Sequence, residues 1–164
     1  MNYTVIHTGD SKEQYWTKAF EEYQKRMNAF GQLRSIALKP VRLSDAPSPT
    51  EIEKALEREA DAVEEQLKKN ALDGANTLKI ALCIEGKLLS SEQLSSLVSE
   101  AALNGKSNVV FLIGSSHGLS PRLKKDAFAL SFSPMTFPHQ LAKVMLAEQI
   151  YRAECILRGN KYHK

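Results

Sequence analysis

The chain alternates between two hydrophobic periods. Residues 2–8 (NYTVIHT) are β-branched and aromatic and predict a first strand. Trp16, Ala19, Phe20, Tyr23 and Met27 then recur at helical spacing, behind a capping box of Ser11 and Gln14. A second strand is expected at Leu33–Leu38, before the polar connection 44–49. Thr50 and Glu53 read as another capping box, opening a charged helix to about residue 70 with Ile52, Leu56, Val63 and Leu67 inward. Its acidic run reads as a solvated face, and Asp73-Gly74 as a turn. Residues 78–84 (LKIALCI) are almost continuously apolar, the pattern of a parallel strand covered on both faces. Ser90 and Gln93 cap a helix carrying Leu94, Leu97, Val98 and Ala101, which ends near Asn104-Gly105. Asn108–Ile113 (NVVFLI) is the most apolar strand candidate. A short helix, a last strand at 128–133 and a final helix from Pro138 to about Leu157 follow. This order predicts a single α/β domain over 1–164, with a mostly parallel sheet and flanking helices.

The final helix breaks the amphipathic rule. Leu141, Ala142, Val144, Met145, Leu146, Ala147, Ile150, Tyr151, Ala153, Cys155 and Ile156 point nearly all round. One sheet covers one face, so a subunit interface is expected to cover the other.

Composition narrows the class. At 43% hydrophobic the chain is too apolar for disorder, and no run reaches the roughly 18 apolar residues of a membrane helix. MNYTVIHTGD lacks the basic region and long apolar run of a signal peptide, so a soluble cytoplasmic protein is expected. Cys83 and Cys155 stand far apart in apolar runs with no Cys/His cluster, which predicts buried free thiols and no metal site. Charge is uneven: residues 44–73 hold nine acids against four bases, whereas 138–164 hold Lys143, Arg152, Arg158, Lys161 and Lys164 against Glu148 and Glu154. A basic end points weakly to an anionic partner. A net charge of +3 is too small for a stand-alone nucleic-acid clamp.

Ligands of open α/β sheets bind beyond the carboxyl ends of strands, so two loops carry the candidate chemistry. The first, Gly114-Ser115-Ser116-His117-Gly118, is neither a P-loop nor GxGxxG. It matches GxSxG, which would make Ser116 a hydrolase nucleophile with Asp126 or Glu148 and His163 downstream. Its plainer reading is a glycine turn that admits a ligand to the backbone. The second loop spans Phe132, Ser133, Pro134, Met135, Thr136, Phe137, Pro138, His139 and Gln140. Two prolines stiffen it, Phe and Met side chains offer apolar walls, and its backbone groups are suited to reading an adenine edge. It reads equally as a rigid strand–helix connection.

FLIGSSHGLS and LSFSPMTFPHQLAKVMLAEQIYRA, with the terminal YHK, resemble the RlmH-type methyltransferases of the SPOUT class. The resemblance covers the whole chain, including the early KEQYWTKAFEEYQKR helix, and is most specific over 128–164. It implies S-adenosylmethionine-dependent methylation of N3 of a pseudouridine in large-subunit ribosomal RNA. It further implies a C-terminal trefoil knot, a homodimer with its active site at the subunit boundary, and no metal. Carried over by position, the donor site comprises Leu82, Gly114 and the backbone of Phe132, Ser133, Pro134, Met135, Thr136 and Phe137. Ser115 departs from the family's second glycine, a change expected to narrow the donor pocket or restrict the backbone.

Sulfonium methyl transfer rests on positioning and on removal of the imide proton. The substrate-side candidates are Arg152, Tyr162 and His163. Arg152 contacts RNA phosphate or pairs with Glu148 one turn earlier; Tyr162 stacks on a base or anchors the tail. His163 is the imidazole of the basic tail, while His139 opens the last helix. Rival readings are a serine hydrolase built on Ser116 and a non-catalytic ribosome-binding protein.

Overall fold

The computed structural model describes residues 1–9 and 13–164; Ser11 of the first expected capping box lies outside them. Among the described residues five strands alternate with five helices: β1 (Asn2–Thr8), α1 (Gln14–Met27), β2 (Leu33–Leu38), α2 (Pro49–Lys69), β3 (Thr77–Leu88), α3 (Ser91–Leu103), β4 (Asn108–Ile113), α4 (Pro121–Lys125), β5 (Phe128–Ser131) and α5 (His139–Leu157). All strand pairs are parallel, in the order β2-β1-β4-β3-β5. Side-chain alternation builds a core on each face. Val109, Phe111 and Ile113 of β4 join Phe20, Met27, Leu94, Leu146 and Ile150 beneath α1, α3 and α5. Val110 and Leu112 of the same strand join Ala60, Val63, Leu67 and Leu123 beneath α2 and α4.

Several local expectations need correction. Helix α2 begins two residues earlier, because Ser48 is its cap. The Ser48 hydroxyl accepts from the Glu51 N–H, the Glu51 carboxylate accepts from the Ser48 N–H at 2.8 Å, and Pro49 has no N–H to satisfy. Thr50 and Glu53 therefore lie inside the helix. Ala55, Glu59, Ala60, Val63 and Leu67 are its buried positions, with Ile52 and Leu56 only half-buried beside them. Its acids are not simply solvated. Buried Glu59 accepts the Val41 N–H at 3.0 Å, and Glu57, Asp61 and Glu64 all bind Arg122. The Ser90/Gln93 box holds as expected. Strand β5 stops at Ser131, where the hydroxyl turns to donate to the Ser133 carbonyl. Pro138 caps α5 rather than entering its first turn.

Helix α5 is covered largely from within the chain, which narrows the face left for the expected subunit interface. The sheet lies beneath it, and α1 and α3 flank it. What remains is one stripe at i, i+4, i+7 and i+11: Leu141, Met145, Glu148 and Arg152, all half-buried. Neither Leu141 nor Met145 joins either core cluster. The basic C-terminal end is also less available than its composition implies. Lys143 is 6% exposed, with its ammonium 5.2 Å from the Phe20 ring, and Glu154 is buried against the Tyr3 hydroxyl.

Strand β3 runs four residues beyond its expected end, and the extension makes an arch. Both Leu82 and Lys87 pair with Leu130 of β5, so residues 83–86 pass over that strand. The arch closes on backbone: a Cβ at Gly86 would stand 2.5 Å from the Leu130 carbonyl carbon and 2.8 Å from its nitrogen. Gly86→Ala must push β5 aside. It is expected to cost about 3 kcal/mol, the upper end of overpacking, read as a lower urea midpoint.

Candidate active site

The carboxyl ends of β3, β4 and β5 lead into three segments that enclose a cavity of about 700 Å³. That volume lies within the roughly 300–1,000 Å³ of small-molecule sites. Leu82, Gly114, Phe132, Ser133, Met135, Thr136 and Phe137 all line it, although they come from segments some fifty positions apart. Pro134 does not reach the wall. The sequence reading missed Ile84, Glu85, Lys124 and Ala142, and it treated Cys83 as a buried thiol. Cys83 is half-exposed on the cavity wall, because it lies past the end of β4 pairing; Cys155 is fully buried. Continued alternation through Cys83, Ile84, Glu85, Gly86, Lys87 and Leu88 was the available signal.

Gly114 is needed by the loop itself. A Cβ there would overlap the carbonyl group of Gly118, which turns back with φ +84° and donates its N–H to the Ser115 carbonyl at 2.9 Å. The backbone of Ser115 is not left-handed, so a serine is tolerated where the resembled family has glycine. In the second segment the Ser133 hydroxyl accepts the Met135 N–H at 3.0 Å, a turn that sets Phe132 and Phe137 as cavity walls.

Charge stands at the mouth. Glu85 and Lys124 form an ion pair there, and this bond to Lys124 holds the Glu85 carboxyl below the ordinary carboxylate range. Burial, followed by the nearby Glu85 carboxylate, raises the Cys83 thiol, which therefore stays protonated. Helix α4 is itself pinned to α2: Arg122 pairs with Glu57 at 3.1 Å, Asp61 at 2.7 Å and Glu64 at 2.7 Å, and Ser120 donates to Glu57.

The substrate-side candidates lie elsewhere in the same chain. Arg152 is thirteen residues along α5 from His139, about 20 Å at 1.5 Å per residue. The tail folds back onto α5 and α3. Tyr162 donates to Glu148 at 3.1 Å, packs edge-on to Tyr151 at 4.9 Å, and lies under Arg152 at 4.8 Å. His163 meets Glu92 at 2.7 Å and Arg152 at 3.3 Å. Both expected pairings, Arg152 with Glu148 and Tyr162 as anchor, are therefore present. Burial and then Glu148 push the Tyr162 phenol up to about 12, so it is no base at neutral pH.

The Ser90 hydroxyl, the Glu92 backbone and His163 hold the Glu92 carboxyl at about 2. A depressed carboxylate stabilises above its unfolded value near 4.5, and that contribution is lost as pH falls through 2. Acidification across this window should release the tail before the sheet opens. Amide exchange is expected to rise at 160–164 while β4 stays protected.

No hydrolase triad forms. His163 is engaged by Glu92 and Arg152, Glu148 by Arg152 and Tyr162, and Asp126 lines a separate depression with Arg122. Ser116 meets only the adjacent, exposed His117, which among the described residues no carboxylate orients. Among the described residues, no three His, Cys, Asp or Glu side chains are grouped to hold a metal ion, and no helix is long and apolar enough to cross a membrane.

A family model described as "Predicted SPOUT methyltransferase" matches residues 1–163. Two relatives named "Putative ribosomal RNA large subunit methyltransferase H", from Methanococcus maripaludis and Methanococcus vannielii, are each 41% identical over the full length of both chains. Among solved structures, the chain superposes on the SpoU methyltransferase AviRb of Streptomyces viridochromogenes, crystallised with AdoMet, at TM-score 0.48 and 9% identity, covering 96% of this chain and 58% of that one. TrmJ of Z. mobilis aligns at TM-score 0.44 and 16% identity, covering 93% and 68%.

Proposed function

The chain belongs to the SPOUT methyltransferase family, and on that premise we propose that it methylates N3 of a pseudouridine in large-subunit ribosomal RNA, using S-adenosylmethionine, as a homodimer on assembled ribosomes in the cytoplasm. One observation carries the reading: three segments distant in sequence meet in a single cavity at the strand ends, where this fold class binds ligands. The cavity suits the donor. Leu82, Ile84, Phe132 and Phe137 offer apolar contact to an adenine, and the 132–137 backbone offers hydrogen-bonding groups to its edge. When bound, S-adenosylmethionine supplies a methyl group activated by its sulfonium.

The chain's own residues supply position and proton transfer. Arg152, Tyr162 and His163 are the RNA-side groups, and the His163 imidazole can take the N3 proton once its contacts with Glu92 and Arg152 give way to the RNA. Because Arg152 lies ten residues along α5 from Ala142 on the wall of its own chain's cavity, about 15 Å at 1.5 Å per residue, a tail from a second copy is taken to complete the site. The stripe left open on α5, Leu141 and Met145, with Ile84 and Met135 exposed on the cavity wall, supports such a pairing. The arch over β5 supports the knotted crossing that the family resemblance implies.

The test is transfer from isotope-labelled donor to purified ribosomes, with the methyl located by mass spectrometry. N3-methylpseudouridine is expected. Ribosome binding with neither donor binding nor transfer would leave a non-catalytic ribosome-binding role instead. Met145→Glu places a charge on the open stripe and should yield a monomer on sedimentation. Ile150→Glu, at 1% exposure, should fail to fold.

A further inference from the structure

An adenosyl group needs apolar walls and backbone partners, yet this cavity also has a charged mouth. Glu85 comes from the arch of β3 and Lys124 from α4, on opposite sides of the opening. Among the described lining residues, Glu85 is the single carboxylate and Lys124 the single ammonium. They bond each other, but their side chains are 61% and 29% exposed, and a pair so open adds little to stability. It can therefore open at little cost to the fold. Neither end of the pair is loosely held. Glu85 sits beside Gly86, whose backbone lies against Leu130, and α4 is fixed to α2 through Arg122.

A free α-amino acid group presents an ammonium and a carboxylate on one carbon, the mirror image of this pair. Resting on the donor reading above, we propose that Glu85 and Lys124 bind the amino-acid end of the donor. The Glu85 carboxylate accepts from its ammonium, and the Lys124 ammonium donates to its carboxylate. The ligand exchanges one exposed ion pair for two charge-assisted contacts, so no charge is left unpaired. Selectivity for a donor bearing a free amino acid would then reside at the mouth, apart from the adenosine-binding walls.

Calorimetry on the whole protein separates the two parts. S-adenosylhomocysteine carries the adenosyl thioether with its amino-acid end, and methylthioadenosine carries it without. The wild type should prefer the former. Glu85→Gln and Lys124→Met should each cut that preference about tenfold or more, as expected for a charged hydrogen bond, with methylthioadenosine affinity unchanged. That unchanged affinity also reports an intact cavity. Retention of the wild-type preference in both variants overturns the proposal while leaving the donor reading intact. If neither ligand binds the wild type, the donor reading fails and this assignment falls with it.

Discussion

A protein lacking residues 161–164 is expected to bind S-adenosylmethionine with wild-type affinity and to transfer no methyl group to ribosomes. The cavity draws no wall from the tail, so its removal leaves the donor contacts in place. What disappears is Tyr162 on Glu148 and His163 on Arg152 and Glu92, the groups proposed for the RNA side. His163→Ala alone should slow transfer about 100-fold or more if the imidazole takes the N3 proton, the range for a lost general base. A phosphate contact would instead give a milder loss that low salt partly restores. A structural anchor would do neither, and would show as faster exchange of the tail in the free protein. Full methylation by the truncated chain removes Tyr162 and His163 from the site.

The second large effect is at Gly114. Gly114→Val should weaken donor binding about 100-fold or more, since about 3 kcal/mol of overpacking falls on the loop that forms a wall. The cause is internal to the protein. The new side chain meets the Gly118 carbonyl, so the loop opens before any ligand arrives. Ser115→Gly is the contrasting change and should leave affinity near wild type, because the Ser115 backbone is not left-handed. Wild-type affinity in Gly114→Val would exclude this loop from the site.

Much of the architecture could be read from periodicity. β1, β2 and β4 were placed to the residue, β1 from its β-branched and aromatic residues and β4 as the apolar run of a covered strand. The order of elements followed from the same pattern. Two features escaped because they depend on neighbours distant in the chain. The charged residues Glu85 and Lys87 looked like the end of β3, yet the backbone of Lys87 and Leu88 pairs onward with β5. The apolar circumference of α5 suggested a partner over the whole face away from the sheet, but α1 and α3 supply most of that cover. At the site, glycine and the aromatic segment marked two walls correctly. The third wall carried only the weak alternation past Ile84, and the charged mouth carried no local signal, for a lone Glu and a lone Lys are ordinary surface residues until the fold sets them face to face.

The arch at residues 83–86 has a kinetic side. β5 is four residues long and lies under a segment that leaves the sheet at Leu82 and rejoins it at Lys87. During synthesis β3 emerges first, so the arch can close before its occupant exists. Either the later segment enters a ready-made opening, or the arch stays loose until β5 is seated. Both routes defer a long-range contact, which slows folding more than it alters the equilibrium. A methyl group at Gly86, set against the Leu130 backbone, should therefore delay refolding as well as weaken the folded state.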